Sequence, residues 1–345
     1  MNIIDFKKEF DAIFLNELDK LIEEAVSRIH NHHISYYIKY IRILAAKGKR
    51  IRPYNTALFY TLYSDKHWLD IKNILFGLEL IHLMALMHDD VMDQSEKRHG
   101  VSSMHSYIET DLTKTRTVDK KQTSNSTAIL MGDLLFGWAY KEFNSKNLSK
   151  ESWDIIHILV EEVILGQTLD IYNQTEISTA TEDVIQKMTL KTARYTFTRP
   201  LQLGVISAGF NIGNESWISD FGDAIGLIFQ TQDDIFDIIE NFDTIQKEPL
   251  GDIKIGIHTI ISTYIDEHGT EGAKKIWSQW FRNKELPDQK EIIEFLTDRG
   301  ALTYAKNFID NEKSRAEKAI ATSSLNMDKK NHVMNLLSMI LIRNH

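Results

Sequence analysis

Two aspartate clusters with the same spacing are the residues of this sequence best suited to chemistry. Residues 89–93 and 233–237 both have the pattern DDxxD, and both interrupt apolar segments. In a helix, the first and last aspartates of such a cluster lie four residues apart, so their carboxylates project from one face. Like charges at this spacing weaken a helix, and burying carboxylates among apolar side chains is costly without cations. The pattern therefore predicts oxygen-only sites for Mg²⁺ bridged to a phosphate-bearing substrate.

All six aspartates of the two clusters are candidate metal ligands and catalytic residues. They are Asp89, Asp90, Asp93, Asp233, Asp234 and Asp237. A single short motif of this kind is weak evidence, because it can arise by chance, whereas two copies in one chain are strong evidence.

Basic residues that could balance these acids occur in compact groups. Residues 47–52 carry four cations directly before Pro53, which suits a helix start, where backbone amides also favour anions. Arg98 follows the first acidic cluster, and Lys191 and Lys247 lie in the second half of the chain. Beside two acidic clusters, these groups become candidates for binding phosphate.

Helices are predicted to position these residues, because apolar residues recur at three- and four-residue spacing along most of the chain. Such stripes cover residues 3–22, 155–171, 184–203 and 292–308, and no alternating pattern typical of strands competes with them. The 345 residues include only four prolines, which leaves long stretches free of helix breakers. We therefore predict an all-α fold.

A single domain covering residues 1–345 is predicted, because no linker rich in proline, glycine and serine divides the chain. The two acidic clusters are also expected to serve one cavity. Residues 110–125 contain many polar and few apolar side chains, which predicts an exposed, flexible loop. We interpret Lys120 and Lys121 in this segment as solvated surface charge.

Composition excludes several classes of function. A net charge of −9 argues against a nucleic-acid partner, and the absence of cysteine excludes disulfides, thiol nucleophiles and thiolate metal sites. Charged residues interrupt the N-terminal segment at once, so no secretory leader is recognised and a cytoplasmic location is expected. No uninterrupted apolar run reaches transmembrane length.

The motifs, in their order along the chain, resemble those of the trans-isoprenyl diphosphate synthases, also called polyprenyl synthetases. The matching segments are residues 48–53 (GKRIRP), 79–82 (ELIH), 88–93 (HDDVMD), 128–133 (AILMGD), 166–170 (GQTLD), 191–192 (KT) and 229–234 (FQTQDD). The resemblance covers almost the whole chain. It implies a single-domain bundle of roughly a dozen helices around a deep central cavity, usually assembled as a homodimer.

This resemblance also implies an activity, the head-to-tail condensation of isopentenyl diphosphate with an allylic prenyl diphosphate. Mg²⁺ held by the acidic motifs, together with Arg98, Lys191 and Lys247, would bind the allylic diphosphate and stabilise the departing pyrophosphate. Thr192 and Gln230 would present partial negative charge to the resulting carbocation. The residues that the resemblance places at isopentenyl diphosphate are Lys49, Arg52, His82, His99 and Phe229.

Two positions depart from the common pattern of that family. His99 stands where a second arginine is usual, so a contact to isopentenyl diphosphate becomes titratable. Ile257 stands where many members carry a lysine after Asp252. Both changes predict weaker substrate affinity, and neither removes a metal ligand.

Product length is predicted from the residues that precede the first acidic motif. In the family, the growing chain extends along this helix, and Ile81, Met84 and Ala85 lie one to two turns before Asp89. Small Ala85 and flexible Met84 do not resemble the aromatic block of fifteen-carbon producers. The expected product is therefore geranylgeranyl diphosphate or a longer prenyl diphosphate.

Three other functions fit part of the pattern. A terpene cyclase shares the first acidic motif, but its second metal site usually has a different composition. A di-iron carboxylate bundle would use the Glu-x-x-His pairs at residues 79–82 and 96–99, which leaves both DDxxD motifs unexplained. A subunit of a heteromeric prenyl diphosphate synthase is the third alternative.

Overall fold

A computed structural model of the chain describes residues 1–112, 119–145, 147–239, 249–283 and 285–342. Across these residues the secondary structure is almost entirely helical, with a single two-stranded ribbon, so the all-α prediction is confirmed. The chain divides into two compact units, one made of Met1–Thr61 and Asp65–Ser149 and the other of Leu62–Ser64 and Lys150–His345. A single domain built from both units stays a prediction.

The first unit contains two long helices that carry its core and its acidic motif. Its elements are α1 (Ile3–Ser27), α2 (His32–Ala45), α3 (Ile51–Ser64, which ends in the second unit), a 3₁₀ turn (Trp68–Ile71), α4 (Lys72–Met92), β1 (Lys97–Arg98), β2 (Val101–Ser102), α5 (Met104–Leu112) and α6 (Lys120–Asn144). Helix α4 packs along α6 and is buried on several faces, as its nearly uninterrupted apolar sequence predicts.

An aromatic cluster fixes α1 against the rest of the first unit. Phe6, Phe10 and Phe14 are each four residues apart, so they form one stripe of stacked rings with centroids 5.3 and 5.4 Å apart. Trp68 and Phe76 meet this stripe edge-on or tilted. All five rings are buried, and this burial anchors the N-terminal end of α4.

The prediction of a flexible loop at residues 110–125 is wrong where the structure describes it. Residues 110–112 belong to α5 and residues 120–125 to α6, while residues 113–118 lie outside the described residues. The side chain of Asp119 accepts the backbone N–H of Gln122 at 2.9 Å, and the hydroxyl of Thr123 donates to the carbonyl of Asp119 at 2.7 Å. Polar residues of this segment therefore stabilise a helix start instead of preventing one.

The second unit combines long helices with shorter ones. Its elements are α7 (Lys150–Asn173), α8 (Thr181–Met188), a π-helical segment (Thr189–Thr198), α9 (Arg199–Ser207), a 3₁₀ turn (Ile212–Asn214), α10 (Trp217–Ile239), α11 (Gly251–Ile255), α12 (Ile260–His268), α13 (Glu271–Trp280), α14 (Gln289–Asp298), α15 (Ala301–Thr322) and α16 (Met327–Leu341). Helix α10 packs against α15 and the π-helical segment. None of the helices in the described parts of either unit is both long and apolar enough to span a membrane.

Two glycines allow the wide π-helical segment to lie between α7 and α10. A Cβ atom on Gly166 of α7 would lie 2.4 Å from the backbone nitrogen of Lys191, and one on Gly226 of α10 would lie 2.2 Å from the Cα of Ala193. Neither distance is compatible with a side chain, so the segment packs directly on backbone from both helices. Such π-helical insertions are frequent at functional sites.

Candidate functional site

The first acidic motif lies at the C-terminal end of α4. Asp89 and Asp90 belong to its last turn, and Asp93 caps it by donating its backbone N–H to the carbonyl of Asp89 at 2.8 Å. Carboxylates at this end of a helix oppose the helix dipole, which favours cations there. This placement therefore has an electrostatic cost that only a bound or neighbouring cation offsets.

Arg98 supplies one such cation from the β-ribbon. Its guanidinium lies 2.9 and 2.5 Å from Oδ1 of Asp90 and 3.2 Å from Oδ2 of Asp89. Burial raises the pKa of Asp90 to about 6, although Arg98 opposes this rise. The structure thus brings three predicted site residues together. With a pKa of about 6, the buried carboxyl group of Asp90 titrates just below neutral pH.

A tight turn places Arg98 and His99 beside α4. Strands β1 and β2 pair Arg98 with Val101, and the two turn residues His99 and Gly100 have positive φ angles of 50° and 79°. Two-residue hairpin turns need positive φ at both positions, and histidine tolerates this conformation better than most residues. The turn geometry therefore gives a local reason for the Arg98-His99-Gly100 sequence.

Two of the predicted ligands of isopentenyl diphosphate line a cavity in the first unit. His82, Arg98 and His99 line it, and Arg52 lies close enough to act on His82 electrostatically. Desolvation, followed by the charge of Arg52, lowers the pKa of His82 well below its usual range. The pKa of His99 is lowered chiefly by desolvation, then by the charge of Arg98, and then by that of Lys49. Both shifts favour the neutral form of the imidazole.

Arg50 differs from its neighbours in the GKRIRP segment because it is buried. Its guanidinium donates to Asp11 at 2.6 Å and to Glu79 at 2.5 Å, and it is 1% exposed, whereas Lys49 is exposed. Glu79 is thereby engaged in an internal ion pair. This pairing argues against a di-iron site that would use Glu79 and His82.

The AILMGD segment of α6 supports the first acidic motif from the side. The Nε2 atom of His88 lies 3.0 Å from the carbonyl of Ile129 and 3.5 Å from the carboxylate of Asp133. A Cβ atom on Gly132 would lie 2.3 Å from the same nitrogen, so glycine leaves the space that this ring occupies. The motif therefore fixes His88, the residue immediately before Asp89.

The three predicted chain-length residues all lie on α4, but they differ in environment. Ile81 and Met84 are buried in the first unit, at 0% and 7% exposure, whereas Ala85 is half-buried. Ala85 shares the face of Asp89 because the two are one turn apart, while Met84 is rotated from Asp89 by roughly 140° around the helix. Their role in setting product length stays a prediction.

The second acidic motif lies near the C-terminal end of α10 and has a different neighbourhood. Asp234 is 4% exposed, and Gln230, one turn earlier, donates its amide to Oδ1 of Asp234 at 2.8 Å. Burial raises the pKa of Asp234 to about 7 despite this hydrogen bond and the nearby charge of Lys187. Asp233 is half-exposed beside it.

The π-helical segment connects to this motif through a hydroxyl group. Thr192 donates to Oε1 of Gln230 at 2.7 Å, so Thr192, Gln230 and Asp234 form one hydrogen-bonded chain. Phe229 packs edge-on against Phe197, with ring centroids 5.5 Å apart. This contact places Phe229 in the packing of the second unit, and its predicted contact with substrate stays a prediction.

Asp237, the last aspartate of the second motif, holds the start of a neighbouring helix. Its two carboxylate oxygens accept the backbone N–H groups of Gly251 and Asp252, at 3.2 and 3.1 Å, and its carbonyl accepts that of Leu250 at 2.7 Å. Asp237 therefore caps α11 in this structure. The predicted site residue Lys247, which precedes α11, lies outside the described residues.

Asp170 of the GQTLD segment is buried between two lysines. Lys191 donates to its Oδ2 at 2.6 Å, and the ammonium of Lys187 lies 3.0 Å from its Oδ1. Burial alone would raise the pKa of Asp170, but the two lysines hold it below the usual value. Lys187 was not among the predicted site residues, although its position four residues before Lys191 predicts a shared helical face.

The donor atoms of both motifs suit Mg²⁺, although no group of three or more aspartate, glutamate or histidine side chains in the described parts of the chain is arranged to hold a metal ion. Carboxylate oxygens are the ligands that Mg²⁺ prefers. Burial raises the pKa values of Asp90 and Asp234, so additional positive charge beside these carboxylates would favour their ionised form. The residues present therefore fit a divalent cation.

Comparison with known proteins places these motifs in a wider context. A model of the polyprenyl synthetase family matches residues 34–298. The chain is 29% identical to the short chain isoprenyl diphosphate synthase of Methanocaldococcus jannaschii over 87% of its own length and 88% of that protein. It is 26% identical to the geranylgeranyl diphosphate synthase of Sulfolobus acidocaldarius, with 97% and 98% covered.

A solved structure has the same fold as this chain. Geranylgeranyl pyrophosphate synthase from Corynebacterium glutamicum, in complex with isoprenyl diphosphate and magnesium, aligns with a TM-score of 0.86. The alignment covers 97% of this chain and 99% of that one at 24% identity.

Proposed function

Because the chain belongs to the polyprenyl synthetase family, we propose that it lengthens an allylic prenyl diphosphate by condensing it with isopentenyl diphosphate. One observation carries the proposal. Each DDxxD motif lies at or near the C-terminal end of its helix, where the helix dipole opposes negative charge, and each has a cationic or amide donor beside it. Such a distribution suits a substrate that brings phosphate and metal together.

The acidic motifs of both units are proposed to contribute to the same reaction. Arg98, Lys191 and Lys247 stabilise the negative charge that develops as the C–O bond of the allylic diphosphate breaks and pyrophosphate leaves. Thr192 and Gln230 place oxygen atoms near the allylic cation. The double bond of isopentenyl diphosphate attacks this cation, and the proton lost in forming the new double bond goes to the released pyrophosphate.

Isopentenyl diphosphate is proposed to bind at the cavity of the first unit. Lys49 and Arg52 lie before and within the first turn of α3, where the helix N-terminus also favours an anion. The lowered pKa values of His82 and His99 favour neutral imidazoles, and a neutral imidazole can donate one N–H to a phosphate oxygen.

The family is divalent-metal dependent, and we propose Mg²⁺ as the ion. The six aspartates Asp89, Asp90, Asp93, Asp233, Asp234 and Asp237 would hold it. When bound, Mg²⁺ neutralises the diphosphate and supports its departure. Asp237 can take part only if its hydrogen bonds to Gly251 and Asp252 are exchanged or shared.

The direct test is an elongation assay with the purified chain. It is incubated with Mg²⁺, labelled isopentenyl diphosphate and dimethylallyl, geranyl or farnesyl diphosphate in separate reactions, and the dephosphorylated products are separated by chromatography. Longer linear prenyl alcohols support the proposal. Cyclic hydrocarbons would indicate a terpene cyclase, and the absence of product with every starter would leave the heteromeric subunit as the better interpretation.

We propose geranylgeranyl diphosphate or a longer prenyl diphosphate as the product. Ala85, one turn before Asp89, offers little bulk on the face of the first motif. The same assay, run with excess isopentenyl diphosphate, measures the final chain length. A farnesyl product would contradict the expectation.

A homodimer is also proposed, and α6 offers the surface that supports it. Ile129 and Leu130 are consecutive residues of α6 with 41% and 60% exposure, which is unusual for large apolar side chains at the centre of a long helix. Light scattering after size exclusion should give twice the mass of the chain, and Leu130→Arg should reduce it. A cytoplasmic location stays a prediction.

A further inference from the structure

A buried lysine lies in the cavity beside the second acidic motif. Lys187, near the end of α8, is 6% exposed, and its ammonium lies 3.0 Å from Asp170 and donates to the carbonyl of His258 at 2.8 Å. The cavity is lined by Lys187, Lys191 and Asp170, and also by Asp234, Asp252 and Ile257. All of these residues belong to the second unit.

Lys187 and Lys191 are held around a shared carboxylate. Lysine is seldom buried unless it is paired, and the ammonium groups of Lys187 and Lys191 both contact Asp170. Two further acids line the cavity: Asp234, which is buried and hydrogen-bonded to Gln230, and Asp252. A metal ion and a diphosphate that enter the cavity together would place the cation at the carboxylates and the anion at the two ammonium groups.

The position of Lys187 also allows a direct contact with such an anion. An ammonium group has three N–H donors, and the contacts to Asp170 and His258 use two of them. Ile257 is next in sequence to the carbonyl that Lys187 binds and lines the same cavity without offering a charge. Lys187 therefore provides a positive charge on the side of the cavity where the chain has isoleucine.

We propose that Lys187 is a diphosphate-binding residue, which together with Lys191 contacts the diphosphate group of the allylic substrate and of released pyrophosphate. This inference rests on the proposed function for the identity of the substrate. In this arrangement Asp170 stays between the two ammonium groups and fixes their separation. A diphosphate oxygen accepts the third N–H donor of Lys187.

Binding of inorganic pyrophosphate in the presence of Mg²⁺, measured by calorimetry, tests the inference without depending on turnover. Lys187→Met keeps the length of the side chain and removes its charge. Loss of a charge-assisted hydrogen bond should weaken pyrophosphate binding roughly 10- to 100-fold. Lys290→Met is the matched control, because Lys290 is exposed on α14 and pairs with its neighbour Glu294.

A second pair of variants separates charge from structure. Ile257→Lys in the Lys187→Met background returns a lysine to the cavity wall and should restore most of the affinity, whereas Ile257→Met in the same background should not. Melting temperatures are recorded for all variants. Lys187→Gln, which keeps a donor for the carbonyl of His258, replaces Lys187→Met in every comparison if the methionine variant does not fold.

Three results would overturn the inference. They are an affinity of Lys187→Met within twofold of the unmodified protein, equal recovery with lysine and methionine at position 257, and a loss that neither restores and that follows a fall in melting temperature. The elongation assay is run in parallel, with KM expected to rise for the allylic substrate and to stay constant for isopentenyl diphosphate. If no elongation occurs but pyrophosphate binding still depends on Lys187, the proposed function fails and the diphosphate site remains.

Discussion

The two acidic motifs have the same sequence pattern, but the structure stabilises them in different ways. In the first unit, the buried carboxylate of Asp90 is paired with the guanidinium of Arg98, which reaches it from a β-ribbon. In the second unit, the buried carboxylate of Asp234 has a neutral amide, that of Gln230, as its hydrogen-bond donor. The pKa of Asp90 rises to about 6 and that of Asp234 to about 7, both chiefly through burial.

This difference shows how a residue one turn earlier changes the chemistry of a motif. Gln230 precedes Asp234 by four residues, whereas the corresponding residue before Asp90 is Leu86, which cannot donate a hydrogen bond. The buried carboxylate of the first motif is therefore stabilised by a cation from outside its helix, and that of the second by a donor from its own helix. We expect the second motif to need metal more strongly, because its buried carboxyl has less positive charge around it.

Removing one aspartate from either motif should have the largest effect, a severe loss of turnover. Asp89→Ala and Asp233→Ala are each expected to lower kcat at least about a thousandfold, because several kcal/mol of leaving-group stabilisation are lost. Helicity should stay unchanged, since carboxylates at a helix C-terminus do not stabilise the helix. Steady-state kinetics and circular dichroism measure both. Asp154→Ala, on the exposed face of α7, is the control, and full turnover in either motif variant would disprove the metal assignment.

Removing the partner of each buried carboxylate should distinguish the motifs. Arg98→Met leaves the carboxylate of Asp90 buried without its ion pair, which should lower the free energy of unfolding by about 3 kcal/mol. Gln230→Met removes a neutral donor from Asp234 and should cost about 1 kcal/mol at neutral pH, because this carboxyl can remain protonated. Urea unfolding at pH 7 without metal measures both values. Equal losses would contradict the contrast between the motifs.

The pH dependence of stability should reveal the second motif in the metal-free protein. The pKa of Asp234 is raised from 3.8 to about 7 in the folded state, so its contribution is fully present below the unfolded value and is lost as pH rises through about 7. We expect the free energy of unfolding to fall between pH 5 and pH 8 and Asp234→Asn to reduce this fall by on the order of 1 kcal/mol. Asp90→Asn should act in a lower window, near pH 6. Identical slopes for both variants and the unmodified protein would exclude this titration.

The smallest change concerns the residue one turn before each motif. This position is Ala85 in the first unit and Phe229 in the second. Ala85→Phe makes the two equivalent and should shorten the main product, since one helical turn of about 5.4 Å is comparable to one isoprene unit. Met84→Ala should lengthen the product, but it should also lower stability by roughly 2 kcal/mol, because Met84 is buried. Chromatography of dephosphorylated products measures chain length, with Ala85→Ser as the control; unchanged lengths in both variants would place the end of the tunnel elsewhere.

Periodicity and motif spacing predicted the helices that carry the site, because those helices owe their stability to apolar stripes that are visible in sequence. The grouping of His82, Arg98 and His99 around one cavity could also be predicted from the sequence, because the order of the motifs implied it. The predictions that failed depended on single contacts. Asp119 caps a helix inside a segment whose composition resembles a loop, and no pattern of side-chain types distinguishes such a cap from solvated polar residues.

Burial could not be read from residue type where neighbours are chemically alike. Lys49 and Arg50 are adjacent cations, yet one is exposed and the other is enclosed by Asp11 and Glu79. Asp237 has the same place in its motif as Asp93, but only the three-dimensional fold shows that it caps α11. Lys187 was missed because a single lysine does not interrupt a helical stripe.

The π-helical segment Thr189–Thr198 means that this stretch of chain winds more loosely than an α-helix, with more residues for the same rotation. Deleting one residue between Lys191 and Arg199 would let the chain tighten towards α-helical winding and would turn everything before the deletion by about 100°. Lys191 and Thr192 would then point away from Asp170 and Gln230, even though every side chain of the site would still be present. For this stretch, the length of the chain is therefore as much a part of the site as the identity of its residues.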